Sequence, residues 1–343
     1  MKIEQDIKLD FKDVLIRPKR SNLSSRSQVN LEREFYFKNS NQKWTGIPII
    51  ATNMDTIGTF EMYNELSKFK IITCFHKHYA IEDYPLNLNK EYYMISTGIS
   101  NRDFDKLQLL VDKLDPKFIC IDVANGYMFE LTKFVKKVKN LYPNKVLVCG
   151  NVVSREIVEE LILNCGVDIV KVGIGSGSCC TTRLKSGVGM PQLSAVIECA
   201  DASHGLNGFI ISDGGAKVPG DLSKAYGGGA DFVMLGSMLA GHDECAGELK
   251  VINGKKVKLF YGMSSSTAMD KYNGGVAKYR SSEGKTVTVD YKGKVEDTIN
   301  DVLGGVRSTC TYIGAKRITD IPKCCTFLKV NRQVNTVYSG REI

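Results

Sequence analysis

Eight short runs of apolar, largely β-branched residues recur along the 343-residue chain, and they constrain its fold more than any other feature. Most of these runs are almost continuously apolar, as is typical of parallel strands that are buried on both faces. Stretches of helical length and amphipathic spacing fall between them. Successive strand-then-helix units predict an α/β fold, a closed (β/α)8 barrel of the TIM type. The candidate strands are residues 47–51, 71–75, 92–96, 118–123, 146–150, 168–172, 208–212 and 231–235.

An open, doubly wound sheet is the structural alternative to a barrel. It is disfavoured because no G-x-G-x-x-G fingerprint opens a helix after the first candidate strand. Apolar residues at helical spacing also predict a closing helix after the last strand unit. The candidate helices are residues 60–69, 106–114, 128–141, 156–164, 192–202 and 295–312.

Two regions fall outside the repeating pattern, although we interpret the whole chain, 1–343, as one catalytic domain. Residues 1–46 precede the first candidate strand and are expected to flank the bottom of the barrel. Residues 241–293 follow the last strand and are rich in Gly, Ser and Lys. We predict a mobile lid there, with a hairpin over 248–260 that turns at Asn253-Gly254.

The net charge of +8 suits anionic small molecules such as nucleotides, and it also suits nucleic acid. The basic residues are nevertheless dispersed, and we expect no nucleic-acid partner. The longest basic cluster has helical spacing and is typical of a solvated helix face. Its members are Lys133, Lys136, Lys137 and Lys139.

No apolar run approaches the roughly 20 residues of a membrane span, and no signal peptide precedes Glu4 and Asp6. We therefore expect a cytoplasmic protein with no membrane partner. Three of the eleven cysteines, Cys74, Cys120 and Cys149, lie inside candidate strands and are interpreted as reduced, buried thiols. With no C-x-x-C motif and four histidines, a structural zinc site is not expected.

The active site of a barrel lies at the carboxyl ends of its strands. The glycine-rich loop 173–183 follows the sixth candidate strand and carries adjacent cysteines, Cys179 and Cys180. A thiolate there would be nucleophilic if a local field lowered its pKa, with Arg183 and Lys185 as candidate sources. The alternative is that both cysteines only pack against the barrel rim, and spacing does not decide between the two thiols.

Glycine turns also follow the seventh and eighth candidate strands, where many barrels bind phosphate. Gly214, Gly215 and Gly236 would let backbone amides approach phosphate oxygens, and Asp213 would accept hydrogen bonds from a ribose diol. The alternative is a pair of tight turns that bind nothing. The remaining polar residues at strand ends include Asn53, Asp55, His76, Lys77, His78, Asp122 and Asn125.

Four segments resemble, in order, motifs of the IMP dehydrogenase/GMP reductase family. They are residues 173–183 (GIGSGSCCTTR), 211–215 (ISDGG), 233–237 (VMLGS) and 261–264 (YGMS), and the similarity extends from 11–16 to 304–314.

The loop 122–127 (DVANGY) and the lid sequence 277–285 (AKYRSSEGK) resemble the reductase members of this family. The Arg-Tyr pair with which dehydrogenase members activate water is not evident in the lid. No regulatory domain fits between residues 75 and 92. One departure is Ser237, where many reductases carry glycine.

This resemblance implies NADPH-dependent reductive deamination of GMP to IMP and ammonia, through a covalent thioimidate. It also resolves the tie between the cysteines, because Cys180 aligns with the family nucleophile and Cys179 does not. Thr182 and Glu283 would carry protons. The alternatives are an NAD-dependent IMP dehydrogenase that lacks the regulatory domain, and a nucleotide-binding barrel without catalysis.

The resemblance further implies ligand contacts. For GMP they are Asp213, Gly214, Gly215, Gly236, Ser237, Gly262, Met263, Ser264, Arg280, Ser281, Ser282 and Gly284. For NADPH they are Lys77, Asp122, Val123, Ala124, Tyr279 and Arg280. A neighbouring subunit of an expected homotetramer would add Ser25, Arg26, Ser308, Thr309, Cys310 and Thr311. A potassium ion would be held by carbonyls of Gly175, Gly177 and Cys180, with Arg183 beside it.

Overall fold

A computed structural model describes residues 3–331 and 333. The strands of this part of the chain are, in order, β1 (Val14–Ile16), β2 (Arg33–Phe37), β3 (Gln42–Gly46), β4 (Ile49–Ala51), β5 (Ile72–Phe75), β6 (Tyr93–Thr97), β7 (Phe118–Asp122), β8 (Val146–Val152), β9 (Ile169–Val172), β10 (Phe209–Asp213), β11 (Phe232–Leu235), β12 (Leu249–Ile252), β13 (Lys255–Tyr261), β14 (Thr286–Asp290) and β15 (Phe327–Lys329). The helices are α1 (Phe60–Leu66), α2 (Asn101–Leu114), α3 (Phe129–Leu141), α4 (Arg155–Glu159), α5 (Thr182–Ser186), α6 (Gln192–Gly205), α7 (Pro219–Gly227), α8 (Ser266–Asn273), α9 (Val295–Ile313) and α10 (Ile321–Cys324).

Within these residues, the eight strands β4 to β11 form a closed parallel barrel. Each strand pairs with the next along the chain, and β11 closes the ring onto β4 with Val233 opposite Ile49. This confirms the predicted (β/α)8 fold, and each predicted strand agrees with the observed one to within two residues at either end.

A hairpin of β2 and β3 fills the amino-terminal end of the barrel. Its side chains Phe35, Phe37 and Trp44 are almost fully buried, and they join a core cluster with barrel residues such as Phe118 and Phe232. The ring centroids of Phe35 and Phe232 are 4.4 Å apart. The hairpin over residues 33–46 therefore flanks the barrel bottom, as predicted, but the prediction fails for Asp10, which contacts Arg183 in the loop after β9 at the opposite end.

Several helices differ from the sequence prediction, and the short helices α5, α8 and α10 were not predicted. Helix α2 begins at Asn101 rather than at residue 106, because the Ser100 hydroxyl caps it by accepting a hydrogen bond from the Asp103 amide at 3.1 Å. Helix α7 was not predicted at all. Its glycines lower helix propensity, but Pro219 occupies the first turn and Leu222 packs in the core.

The segment 241–293 forms its own antiparallel sheet of β12, β13 and β14, together with α8. The predicted hairpin is confirmed: Asn253 and Gly254 have φ values of 50° and 77° between β12 and β13. Strand β14 was not predicted. The two ends of the segment meet, since the Lys292 amide donates to the Gly241 carbonyl at 3.0 Å. The mobility of this segment stays a prediction.

The cysteines of the chain all lie in the described residues and are free thiols. Cys74, Cys120 and Cys149 are fully buried in the barrel wall, as predicted. Lys133, Lys136 and Lys137 are exposed on α3. No helix among residues 3–331 and 333 has both the length and the apolarity that crossing a membrane requires.

Candidate active site

A cavity of about 300 Å3 opens at the carboxyl ends of the barrel strands. Loops after several strands line it, together with part of the 241–293 segment. Most of the residues predicted to take part in catalysis or binding meet there: Cys180, Thr182, Glu283, Asp213, Gly214, Gly215, Gly236, Ser237, Gly262, Met263, Ser264, Gly284, Asp122, Val123, Ala124, Gly175 and Gly177.

A hydrogen-bonded path leads from a thiol to a carboxylate in this cavity. The Cys180 thiol donates to Thr182 Oγ1 at 3.2 Å, and the Thr182 hydroxyl donates to Glu283 Oε2 at 2.7 Å. Thr182 is the first residue of α5, so the helix start fixes its direction. The arrangement connects a thiol to a carboxylate through one hydroxyl, as covalent catalysis with proton transfer would require.

Backbone hydrogen bonds bring Glu283 to the thiol loop. The Thr181 amide donates to the Glu283 carbonyl at 2.8 Å, and the Lys285 amide donates to the Cys179 carbonyl at 2.9 Å. The Glu283 amide in turn donates to the Ser264 carbonyl at 3.0 Å. Residues 283–285 therefore lie between the thiol loop and the loop after β13, which holds the carboxylate in place.

The two adjacent cysteines occupy different environments. Cys179 is 5% exposed and packs in the hydrophobic core. Burial raises the pKa of the Cys179 thiol, although nearby Lys285 opposes the rise. Cys180 is more exposed and makes the hydrogen bond to Thr182. The geometry favours Cys180 as the nucleophile, in agreement with the family resemblance.

The Arg183 guanidinium contacts Met190 and Asp10, not the Cys180 thiol. Its Nη2 donates to the Met190 carbonyl at 2.6 Å, and its Nη1 lies 3.3 Å from Asp10 Oδ2. Its side chain also covers Gly175, where an added Cβ would lie 2.6 Å from Arg183 Cγ. Arg183 therefore supports the loop, and the group that contacts Cys180 Sγ is the Thr182 hydroxyl.

The glycine turns after β10 and β11 face the cavity. Gly214 and Gly215 have φ values of 91° and 83°, a region that favours glycine. A Cβ on Gly214 would lie 2.5 Å from Ser176 Oγ. The turn therefore packs closely against the thiol loop and presents its backbone to a ligand, as a phosphate site requires.

An ion-paired network that sequence reasoning missed forms the floor of the cavity. Lys171 Nζ lies 2.6 Å from Asp122 Oδ1 and 3.4 Å from Asp213 Oδ2. The amide of Asn53 donates to Asp122 Oδ2 at 2.9 Å, and the amide of Asn151 donates to Asp213 Oδ2 at 2.8 Å. The available signal was a single lysine inside an otherwise apolar strand.

Several predicted ligand contacts lie outside the cavity lining. Lys77 pairs with Asp103 at 3.1 Å, and Ser282 Oγ donates to the carbonyls of Ser264 and Gly284. Tyr279, Arg280 and Ser281 are exposed.

The residues predicted to act from a neighbouring subunit also lie outside the cavity lining. Arg26 Nε donates to Ser308 Oγ at 2.7 Å, so the segments that carry them are adjacent. Ser25 accepts a hydrogen bond from the Ser27 amide, and Thr309 and Thr311 are half-buried on α9. The Cys310 side chain is fully buried.

No group of three or more His, Cys, Asp or Glu side chains forms a metal site within the described ranges. The predicted potassium site consists instead of backbone carbonyls in the loop 173–183. Rings of carbonyl oxygens suit a weakly hydrated monovalent cation. The left-handed backbone at Gly175, with φ of 76°, allows the sharp turn that such a loop needs.

Comparison with known proteins identifies similar sequences over nearly the whole chain. The family model described as IMP dehydrogenase / GMP reductase domain matches residues 8–336. A protein named GMP reductase from Shigella boydii serotype 18 is 56% identical over 348 residues, covering 99% of this chain and 100% of that protein. One of the same name from Escherichia coli O157:H7 is 57% identical with the same coverage.

Proposed function

The chain belongs to the IMP dehydrogenase/GMP reductase family, and from that premise we propose that it reduces GMP to IMP and ammonia. The single observation that carries the proposal is the path from the Cys180 thiol through Thr182 to the Glu283 carboxylate. The path supports covalent catalysis at the cavity. The reductase-like sequences around Asp122 and Glu283 favour this direction of the chemistry.

In the first step, Cys180 Sγ attacks C2 of the guanine base and a C–S bond forms. The thiol proton passes through the Thr182 hydroxyl toward the Glu283 carboxylate, which is placed to deliver a proton to the leaving amino group. The C2–N bond breaks, ammonia departs, and a thioimidate remains on Cys180. The hydroxyl donates to a carboxylate oxygen at 2.7 Å, so the path is aligned before substrate binds.

The second step resolves the adduct. A reduced nicotinamide cofactor, when bound, supplies a hydride to C2 of the purine. The C–S bond breaks, and IMP is released from the Cys180 thiolate. The thiolate then takes up a proton from solvent through Glu283 and Thr182. The step therefore consumes one hydride and one proton, in balance with the ammonia that was released.

The cavity also has suitable groups for holding the nucleotide. The amides of the turns at Gly214, Gly215 and Gly236 fit the phosphate, and the Asp213 carboxylate fits the ribose diol. Met263 and Ser264 lie beside the thiol loop and fit the base. Arg280, Ser281 and Ser282 stay proposed contacts, because they lie in the part of the lid next to Glu283.

The family implies a nicotinamide cofactor, and we propose NADPH. Asp122, Val123 and Ala124 line the cavity and fit the nicotinamide end, and Lys77 and Tyr279 stay proposed contacts. Arg26 is exposed and donates a hydrogen bond to Ser308, which suits a role of these residues in a neighbouring subunit of a homotetramer. Loop carbonyls of Gly175, Gly177 and Cys180 would hold potassium. We also propose a cytoplasmic location.

The test is a paired assay with the purified protein. GMP and NADPH should give oxidised cofactor, IMP and ammonia in equal amounts, and an acid-quenched reaction should carry a purine adduct on the peptide that contains Cys180. Formation of XMP from IMP and NAD, without GMP reduction, would establish the dehydrogenase alternative. GMP binding with no turnover in either direction would favour a non-catalytic barrel.

A further inference from the structure

A buried ammonium group lies between the two carboxylates of the cavity floor. Lys171 projects from β9 and its side chain is 2% exposed, whereas the side chains of Asp122 and Asp213 are 33% and 22% exposed. The Lys171 Nζ to carboxylate distances are 2.6 Å for Asp122 and 3.4 Å for Asp213. One cation therefore contacts both carboxylates, and its side chain is almost fully buried at the cavity floor.

We propose that Lys171 is a positioning residue, which holds the Asp122 and Asp213 carboxylates in place so that the cofactor and substrate half-sites share one buried charge. The inference rests on the proposed function, which assigns Asp122 to the cofactor and Asp213 to the ribose of GMP. Lys171 acts through these two carboxylates and needs no contact with either ligand.

Each carboxylate contacts two positioning groups, Lys171 and an asparagine amide. Asp122 Oδ1 accepts a hydrogen bond from Lys171, and Asp122 Oδ2 accepts one from the Asn53 amide. Asp213 Oδ2 forms an ion pair with Lys171 and accepts a hydrogen bond from the Asn151 amide. That amide also donates to the Gly173 carbonyl at 2.8 Å. In the described part of the chain Asp213 Oδ1 makes no hydrogen bond, so it is available to accept from a ribose hydroxyl.

The charge balance explains why the ammonium is needed. Burial acts to raise the pKa of Asp122, but the attraction of Lys171 and the hydrogen bond from Asn53 outweigh it, and the pKa is lowered. Burial likewise acts to lower the pKa of Lys171, but Asp122 and Asp213 outweigh it, and the pKa is raised. Without the cation, burial would favour protonation of Asp122.

Other ionisable groups face this network from the surrounding strands. Cys120 on β7, Cys74 on β5 and Cys149 on β8 lie near Lys171, and Lys77 acts on Asp122 from the loop after β5. Burial raises the pKa of the Cys74 and Cys149 thiols, so these two stay neutral at physiological pH. Asp122 and Asp213 are thus the groups that compensate Lys171.

The experiment replaces the ammonium with an apolar side chain of similar length. In Lys171→Met, the dissociation constants for GMP and for NADPH should each rise about tenfold or more, since both ligands lose the hydrogen bonds that they donate to the two carboxylates once these are misplaced. The acid limb of the kcat/KM profile should move to higher pH. The matched control is Lys224→Met. Lys224 is also a buried lysine, 3.3 Å from Asp221, but it lies on α7 and does not line the cavity.

A double variant tests the proposal if Lys171→Met alone does not fold. Asp122→Asn with Lys171→Met removes the buried pair as a unit and should fold better than Lys171→Met. In the Asp122→Asn background, Lys171→Met should weaken NADPH binding much less than it does in the parent, because the Asp122 carboxylate that it pairs with is already absent. The loss of GMP affinity through Asp213 should persist.

The outcomes separate this inference from the proposed function. If the parent reduces GMP and Lys171→Met binds both ligands with parental affinity and an unshifted acid limb, the shared-charge role is wrong. A simple loss of thermal stability equal to that of Lys224→Met, without effects on either ligand, would also reject it. If the parent itself does not reduce GMP, the proposed function has failed, whatever the variants show.

Discussion

Thr182 and Glu283 are 101 positions apart in the chain, yet Thr182 Oγ1 donates to Glu283 Oε2 at 2.7 Å. Their contact connects a barrel loop to the 241–293 segment. The same hydroxyl accepts from the Cys180 thiol at 3.2 Å. Thr182 therefore joins the proposed nucleophile to the carboxylate, and loss of its hydroxyl should interrupt proton transfer while leaving the Cys180 thiol and the Glu283 carboxylate in place.

Thr182→Val should lower kcat for GMP reduction by about 100-fold or more, within the range that general acid–base groups contribute. The dissociation constant for GMP should change little, because the hydroxyl is assigned to proton transfer. Glu283→Gln should have a similar effect. The double variant should be scarcely slower than either single one, since both act in one path. Steady-state kinetics and calorimetric GMP titration measure these quantities.

The neighbouring residue provides the control. Thr181 Oγ1 is buried with no hydrogen-bond partner in the described residues, so Thr181→Val removes a hydroxyl of the same kind one position away. Its backbone contact to Glu283 is kept. Near-parental kcat is expected for Thr181→Val. Equal losses in Thr181→Val and Thr182→Val would mean that the helix start, not the hydroxyl path, matters.

The barrel could be predicted from sequence because its strands are short, apolar and buried on both faces, a local signal. Helix α7 was missed because Gly220 and the glycines at its end weaken the local pattern, whereas tertiary packing of Leu222 decides the outcome. Lys171 was missed for the opposite reason. Its strand is otherwise apolar and was interpreted only as a buried strand. The two carboxylates that compensate the Lys171 charge lie on other strands.

For the site, the local pattern identified a thiol loop but did not distinguish Cys179 from Cys180. Family resemblance selected Cys180, and the structure adds a physical reason, since Cys179 packs in the core. No spacing rule could have placed Glu283 beside Thr182, because the contact depends on how the 241–293 segment folds back. Contacts predicted from a neighbouring subunit stay predictions.

Alkylation should distinguish the adjacent thiols. Iodoacetamide should modify Cys180 rapidly and Cys179 slowly, because Cys179 is 5% exposed and its burial raises the thiol pKa, which disfavours the reactive thiolate. GMP should protect Cys180. Peptide mass mapping over time, with Cys180→Ala as the control, measures both rates. Faster modification of Cys179, or no protection by GMP, would contradict the assignment of the nucleophile.

Gly214→Ala should damage the turn proposed to bind phosphate. The residue has φ of 91°, and an added Cβ would lie 2.5 Å from Ser176 Oγ and 3.0 Å from the Gly177 amide nitrogen. The strain should displace the turn and raise KM for GMP about tenfold or more, on the order of one lost charge-assisted hydrogen bond. Gly220→Ala is the control, because its Cβ would meet nothing within 4 Å. An unchanged KM in Gly214→Ala would argue against a phosphate at this turn.

Asp55 anchors the 241–293 segment to the barrel, and its removal should weaken that attachment in a pH-dependent way. Its Oδ2 accepts hydrogen bonds from Tyr261 and Tyr272 at 2.6 Å and from Lys271 at 2.9 Å. Burial acts to raise the pKa of Asp55, but these donors outweigh it and the pKa is lowered. Because folding lowers the pKa of Asp55, its ionised carboxylate stabilises the fold at pH values above the unfolded-state pKa of about 4. This stabilisation is lost as the pH falls through the folded-state pKa.

Asp55→Asn should therefore reduce the free energy of unfolding by about 1–3 kcal/mol at pH 7, and the difference from the parent should shrink as pH falls below about 4. Thermal unfolding at pH 7, 5 and 3.5 measures it, and hydrogen exchange should localise the loss to β13 and α8. Asp243→Asn is the matched control, since Asp243 accepts from Tyr291 in the same segment at 2.8 Å but is exposed; exposed contacts of this kind contribute little. A stability difference between the parent and Asp55→Asn that stays constant from pH 7 to 3.5 would show that the asparagine acts through packing, because only the ionised carboxylate has the predicted pH dependence.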